Sequence, residues 1–169
     1  MITKVKLKNF RNYEHADIEL NPGLNIIIGN NGQGKTNFLE AVYYLSLLRS
    51  FRSNRINELR NWESEYFHVA GLLEDKKTDY TEWLKVTNSN RRRFKINDTI
   101  VNKASDFISR FLCVVCVPED IRLLKGSPAD RRKFADIVLS QSSKNYMKTL
   151  MQYMKALKSR NAMLKEPRR

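Results

Sequence analysis

Eight consecutive residues, Gly29-Asn30-Asn31-Gly32-Gln33-Gly34-Lys35-Thr36, have the types and spacing to hold a triphosphate. Gly29, Gly32 and Gly34 allow a tight backbone turn and bring N–H groups onto phosphate oxygens with no Cβ in the way. Lys35 is placed to reach the β and γ phosphates, and the Thr36 hydroxyl to bind magnesium. The implied ligand is a nucleotide, ATP, with Mg2+. A glycine-rich turn without a ligand is the plainer alternative. Context argues against it: the motif requires a strand before the loop and a helix after it, and the apolar run Leu24–Ile28 precedes this one while a helical pattern follows.

Binding does not by itself give hydrolysis, which needs an acid at the end of a second apolar strand to hold the metal and orient water. Val114-Val115-Cys116-Val117-Pro118-Glu119-Asp120 is the only such stretch, and Pro118 separates its strand from its acids. The catalytic residues are therefore unassigned, and weak turnover at most is expected of these residues.

Several elements must position the loop. Ile2–Lys8, Ala16–Leu20 and Leu24–Ile28 read as strands, with Asn21-Pro22-Gly23 as a turn. The third is apolar except at Asn25, which suits a strand covered on both faces of an α/β sheet. Lys35–Leu48 reads as a helix, with Phe38, Leu39, Val42, Leu45 and Leu48 at helical spacing. Tyr66–Leu73, Tyr80–Thr87 and Phe94–Val101 read as a β meander, followed by a short helix over 103–110 and a buried strand, Phe111–Val117. Beyond Gly126 the pattern is helical, opening on Ser127-Pro128-Ala129-Asp130 with Ser as cap, Pro in the first turn and Asp accepting at the third position. Tyr146, Leu150, Tyr153, Leu157 and Leu164 then form the seam of a coiled coil or helical hairpin, interrupted at Arg160 and unpartnered where the sequence ends after Pro167. The organisation expected is a nucleotide-binding lobe over 1–125 and a helical arm over 126–169, the first piece of something longer.

Lys and Arg total 31 against 18 Asp and Glu, a net charge of +13, which directs attention to polyanions. The excess is concentrated: residues 121–169 hold thirteen basic and three acidic residues, the first 120 eighteen and fifteen. Arg122, Lys125, Arg131, Arg132 and Lys133 are the first candidates for DNA contact, with Lys144, Lys148, Lys155 and Lys158 as a second set and Arg91-Arg92-Arg93 as a third. Such contacts are independent of base sequence and fade as salt rises. A lysine-rich solvated helix is the competing explanation. Few aromatics interleave these charges, so base stacking finds little support. No apolar run approaches the ~20 residues needed to span a bilayer, and no secretory signal opens the chain, so a cytoplasmic protein without a membrane partner is expected. Cys113 and Cys116 have the spacing of a zinc or redox pair, but three residues apart on a strand they point to opposite faces, so both are read as small core residues. His15 and His68 stand alone and suggest no catalytic pair.

Four blocks carry a resemblance. Leu7-Lys8-Asn9-Phe10-Arg11-Asn12-Tyr13 is one, and the loop with Asn37-Phe38-Leu39-Glu40-Ala41 another. Leu48-Arg49-Ser50-Phe51-Arg52 is a third, and the fourth runs from Val117-Pro118-Glu119-Asp120 through Leu124-Lys125-Gly126-Ser127-Pro128 to Arg131-Arg132-Lys133-Phe134. Together they resemble the RecF recombination mediators among the SMC-like and ABC-type ATPases. The resemblance implies an α/β P-loop NTPase of the ABC/SMC-like type with a β-rich lobe and the start of a helical lid. It also implies an ATP-dependent DNA-binding protein of bacterial recombinational repair. Such a protein acts at gapped DNA or at single/double-strand junctions with RecO- and RecR-type partners, and forms an ATP-dependent homodimer when full length. By position in that family, Arg11 and Asn12 approach the phosphates and Glu119 takes the place of the loop residue that senses the nucleotide, where ABC proteins usually have Gln. The family's signature segment and second acidic strand are not found here. Two other classes are weighed against this one. A small-molecule kinase or GTPase would need an acceptor pocket or an Asn-Lys-x-Asp segment, and Asn102-Lys103-Ala104-Ser105 only begins like one. A nucleotide-independent nucleic-acid binder would carry the loop as a vestige.

Overall fold

The computed structural model describes residues 1–75, 77–108 and 110–164. Ser109, within the helix expected over 103–110, and Pro167, at the end of the helical arm, lie outside the described residues. The structure divides into two compact units, Met1–Val115 and Cys116–Arg169.

In the first unit, β1 (Ile2–Phe10), β2 (Tyr13–Glu19), β3 (Phe67–Asp75), β4 (Tyr80–Asn88), β5 (Arg92–Ile96) and β6 (Thr99–Val101) form one sheet of order β2-β1-β3-β4-β5-β6. Every pairing is antiparallel. One face carries Val5 and Leu7 of β1, Val69 and Leu73 of β3, and Leu84 and Val86 of β4, all buried. Helix α1 (Lys35–Leu47) covers that face with Phe38, Ala41, Tyr44 and Leu45, and Phe107 of α2 (Ala104–Ile108) joins the same core. The approach is close: a Cβ on Gly71 would lie 2.7 Å from Leu45 Cδ1. Alternation explains the result, since residues two apart on a strand share a face and the apolar residues of β1, β3 and β4 concentrate on one of them.

Three strand expectations are corrected. Leu24–Ile28 joins no ladder among the described residues; Leu24, Ile26 and Ile28 are 83, 75 and 86 % exposed. Asn25, the one polar residue of the run, instead closes the preceding turn by donating to Asn21 O and accepting from Asn21 N. Phe111–Val117 also joins no ladder. Side-chain burial alternates along it, with Leu112 and Val114 exposed and Phe111 packed against the core. Cys113 is half-buried and Cys116 exposed, so the reading of Cys116 as a core residue does not hold, although the two do alternate as the strand argument required. Phe94–Val101 is two strands and not one, because Asn97 adopts φ 53° and turns the chain. Its side chain accepts from Trp83 N at 2.9 Å.

His68 of β3 is largely buried, its Nδ1 2.9 Å from Thr87 Oγ1. Burial first, then the nearby charges of Lys85, Lys8 and Lys95, hold its pKa below the ordinary 6.5. The neutral ring is the folded form, so the unfolded chain takes up the proton first. Stability is expected to be flat with respect to this group above pH 6.5 and to fall as the pH drops below it, by at most about 1.4 kcal/mol per pH unit. Urea unfolding at pH 7.5, 6.0 and 5.0 tests this: the acid-side loss shrinks in His68→Gln, and an identical pH profile in the two proteins contradicts it.

In the second unit, a 3₁₀ turn (Pro118–Ile121) and α3 (Arg122–Lys125) lead into α4 (Pro128–Ser142) and α5 (Lys144–Met163). Asp130 accepts from both the Ser127 N–H and its hydroxyl at 2.8 Å, the start signal the sequence carries. The two helices pack on one another, with Tyr146 Oη donating to Asp136 Oδ1 at 2.5 Å. Met147 is buried, whereas Met151, Tyr153, Met154 and Leu164 are exposed.

Candidate nucleotide site

The loop between Ile28 and α1 is shaped by its glycines. Gly29, Gly32 and Gly34 adopt φ of 151, 84 and 101°, a region closed to most side chains. At Gly34 the requirement is doubled, since a Cβ there would lie 2.7 Å from Asn12 Nδ2 and 3.1 Å from the Tyr13 ring. Gly34 caps α1, its carbonyl accepting from Phe38 N at 2.9 Å and from Tyr13 Oη at 3.2 Å. The β1–β2 turn is thereby held against the start of the helix. Gln33 Oε1 accepts from Asn30 N at 2.9 Å, and Lys35 Nζ donates to Gly29 O and Asn30 O at 2.7 Å each. An ammonium inside a ring of backbone, at the positive end of a 13-residue helix, makes a cradle for a polyanion. Thr36, in the first turn, is exposed and offers a hydroxyl beside that cradle.

The residues present fit a triphosphate and its magnesium. The loop supplies N–H groups, a lysine and a hydroxyl. Among the described residues no cluster of three His, Cys, Asp or Glu could hold a metal alone, so the phosphates themselves would complete the coordination of a magnesium ion resting on Thr36. Bound there, the ion would screen the charge of the phosphate oxygens.

Asn12 stands beside the loop at Gly34. Its Oδ1 accepts from Asn37 Nδ2 at 2.8 Å, and Asn37 Oδ1 accepts from Arg52 Nη1 at 2.9 Å. Arg11 is engaged differently. Its guanidinium donates through Nε and Nη2 to the two oxygens of Glu40, at 2.9 and 2.8 Å, and through Nη1 to Glu58 O at 2.6 Å. Glu40 is fully buried, and the Ser50 hydroxyl donates to it as well. Ser50 Oγ in turn accepts from Arg52 N and Ser53 N. One buried carboxylate therefore ties together the β1–β2 turn, the loop helix and the segment after it. In this geometry Arg11 holds the turn that carries Asn12, and its charge is matched by Glu40.

Beside this cluster lies a groove of about 1060 Å³, lined among others by Asn12, Asn37, Arg52, Arg55 and Trp62. Trp62 is 99 % exposed. The sequence reading had Arg52 only through a resemblance and passed over Arg55 and Trp62. The available signal was four arginines, Arg49, Arg52, Arg55 and Arg60, close behind the loop helix.

Glu119 and the basic candidates belong to the second unit. Glu119 sits in the 3₁₀ turn and is exposed; Asp120 is committed to capping that turn, accepting from Val117 N at 2.9 Å. Arg122, Lys125, Arg131, Arg132 and Lys133 are all exposed, as are Lys148, Lys155 and Lys158. Of the arginine triple, Arg92 donates to Leu48 O at 3.2 Å, while Arg91 and Arg93 are exposed.

A glycine-rich loop opening a helix that packs on a β sheet is the arrangement of a P-loop NTPase, and the likeness to solved structures gives the fold as the ABC/SMC-like type. A family model described as "AAA domain" matches residues 4–167, and the chain belongs to that family. It is 41 % identical over 164 residues to the DNA replication and repair protein RecF of Oenococcus oeni, covering 97 % of this chain and 44 % of that protein. Its identity to the same protein of Lactococcus lactis subsp. cremoris is 43 % over 165 residues, covering 97 and 45 %. The chain thus spans less than half the length of the curated relatives it matches. Among solved structures, the recombination mediator RecF with ATP in the RecFOR pathway superposes with a TM-score of 0.87 at 36 % identity, covering 98 % of this chain and 46 % of that one. An SMC ATPase structure superposes at 0.66 with 21 % identity, over 84 % of this chain and 99 % of that one, which bears on the fold alone.

Proposed function

We propose that this chain binds ATP with magnesium at Gly29–Thr36 and uses the bound nucleotide to control its hold on DNA, as part of a bacterial recombinational repair protein. The observation that carries the reading is the Lys35 ammonium, 2.7 Å from Gly29 O and Asn30 O, at the head of α1. With a triphosphate bound, Lys35 would exchange those two carbonyls for phosphate oxygens. Lys35 and the loop N–H groups would hold the β and γ phosphates, the Thr36 hydroxyl would hold the metal, and Asn12 is close enough to the loop to contact the nucleotide. Glu119, where the family places its nucleotide-sensing residue, belongs to this proposal. So do a cytoplasmic location, action at gapped DNA or junctions, RecO- and RecR-type partners and an ATP-dependent homodimer. What supports them is kinship with proteins named for DNA replication and repair and the excess of exposed cations in α3–α5.

Competition between nucleotides tests the assignment. ATP should displace a labelled nucleotide at lower concentration than GTP, and the bound label should not be transferred to a small metabolite. A preference for GTP, or such transfer, would favour a GTPase or small-molecule kinase that uses the same loop.

A further inference from the structure

The sheet face turned away from α1 is cationic, and the function proposed above does not use it. Strand register places its residues in rows across the sheet. One row runs His15, Lys8, His68, Thr87 and Arg93; the next runs Asp17, Lys6, Ala70, Lys85 and Lys95. These residues alternate with the buried set, so they share the opposite face. At 4.7–4.9 Å between strands, Lys6 and Lys95 are about 14 Å apart, with Lys85 on the strand beside Lys95.

The charges on this face are not evenly matched. Lys4 pairs with Asp17 and Glu19 at 3.2 and 3.1 Å, Lys6 with Asp17 at 3.3 Å, and Lys85 with Asp98 at 3.1 Å. The row holding Lys8 and Arg93 contains no carboxylate. Among the described residues, Lys8, Arg93 and Lys95 have no acid within 4.0 Å, and all three are exposed. His68 lies among these ammonium groups: burial first, and then the charges of Lys85, Lys8 and Lys95, lower its pKa.

Two aromatic rings fix the lysines in place. Lys6 and Lys85 lie over the Trp83 ring, 5.5 and 5.8 Å from its centroid, and Lys8 lies 5.7 Å from that of Tyr66. Contacts of this kind orient a cation ahead of binding and reduce the rotamer freedom lost when a ligand arrives. What the face presents is an array of positive charge with no group that reads a base.

We infer that this outer sheet face, centred on Lys8, Arg93 and Lys95, is a second DNA-contact surface that takes the sugar–phosphate backbone of a duplex. It belongs to the first unit, whereas the basic helices belong to the second. The inference rests on the proposal that the chain binds DNA and adds where part of that contact is made.

The test compares three proteins on a DNA duplex over a salt series: the unmodified chain, Lys8→Glu/Arg93→Glu/Lys95→Glu, and Arg131→Glu/Arg132→Glu/Lys133→Glu. Each lost phosphate contact removes about 0.9 from the slope of log affinity against log salt. The sheet variant should therefore lose about 2 to 3 units of slope and about tenfold or more in affinity, with ATP affinity unchanged. If the unmodified chain binds no duplex at low salt, the DNA reading and this inference fail together. If only the helix variant weakens and the sheet variant matches the unmodified chain, this inference alone fails. Binding of anionic lipid vesicles by these three residues, without loss of duplex affinity in their variant, likewise overturns it.

A second readout needs no substitution and covers the case in which charge reversal disturbs folding. Phosphates laid against Lys8 and Lys95 offset their effect on the buried imidazole. An NMR titration of His68 should thus show its pKa rise when duplex is added; an unmoved pKa at saturating duplex overturns the assignment.

Discussion

Replacing Lys35 by Ala is expected to weaken ATP binding about 100-fold while leaving the fold intact. The ammonium makes two hydrogen bonds of 2.7 Å inside the loop and is the charged group best placed to exchange them for phosphate oxygens. Hydrogen bonds to charged groups contribute about 1.5–3 kcal/mol each. Losing a pair, partly offset by water entering the loop, comes to about 3 kcal/mol, a factor of about 100. Stability should hardly change, because the loop is exposed and its glycine conformations do not depend on the lysine. Titration calorimetry with ATP, alongside urea unfolding of the same samples, separates the two effects. Nucleotide affinity within threefold of the unmodified chain would show that the loop does not carry the binding.

Glu40→Ala should have the largest effect on stability, about 3–5 kcal/mol. Its carboxylate is fully buried and accepts from Arg11 at 2.8 and 2.9 Å and from Ser50. Removing it leaves the Arg11 guanidinium, only 18 % exposed, without its counter-charge, and removing one member of a buried pair costs more than the pair contributes. Arg52 loses a partner too, its Nη1 being 4.0 Å from Glu40 Oε2. Against the 5–15 kcal/mol that holds a typical domain together, the loss can expose much of the first unit to unfolding. The double replacement Arg11→Met/Glu40→Leu should recover most of it, since neither charge is then stranded. Urea midpoints for the single and double variants decide the matter; a single variant less than 1 kcal/mol below the unmodified chain would mean that the triad is not what joins the turn, the helix and the following segment.

The glycine-rich loop was legible because its conformation is local. The three glycines, Lys35 and Thr36 need only the helix they begin, and the helix expected over Lys35–Leu48 forms over Lys35–Leu47 with Phe38, Val42, Leu45 and Leu48 in or against the core, whereas Leu39 of the expected stripe is 51 % exposed. The meander was legible for a similar reason, since alternation over Phe67–Asp75 and Tyr80–Asn88 matches one buried face. Leu24–Ile28 and Phe111–Val117 failed for the opposite reason. An apolar run reports that a segment requires cover on its sides; whether a neighbouring strand supplies the ladder is a property of the whole sheet, and none here does.

Arg11 marks a second limit. Its identity and its nearness to the turn could be read from the sequence, but its engagement with Glu40 joins residues 29 positions apart and leaves no periodic trace. The cationic sheet face was hidden in the same way. Lys8, Lys85 and Lys95 look like ordinary surface lysines until antiparallel register brings them together, whereas the charge of the second unit is continuous in sequence and visible at once.

DNA affinity measured over a salt series, with and without Mg-ATP, for this chain and for Lys35→Ala tests the central claim most directly. Salt-sensitive binding that ATP strengthens only when Lys35 is present is the predicted result. Equal DNA affinity with and without ATP in both proteins, or ATP binding with no DNA affinity even at low salt, would contradict it.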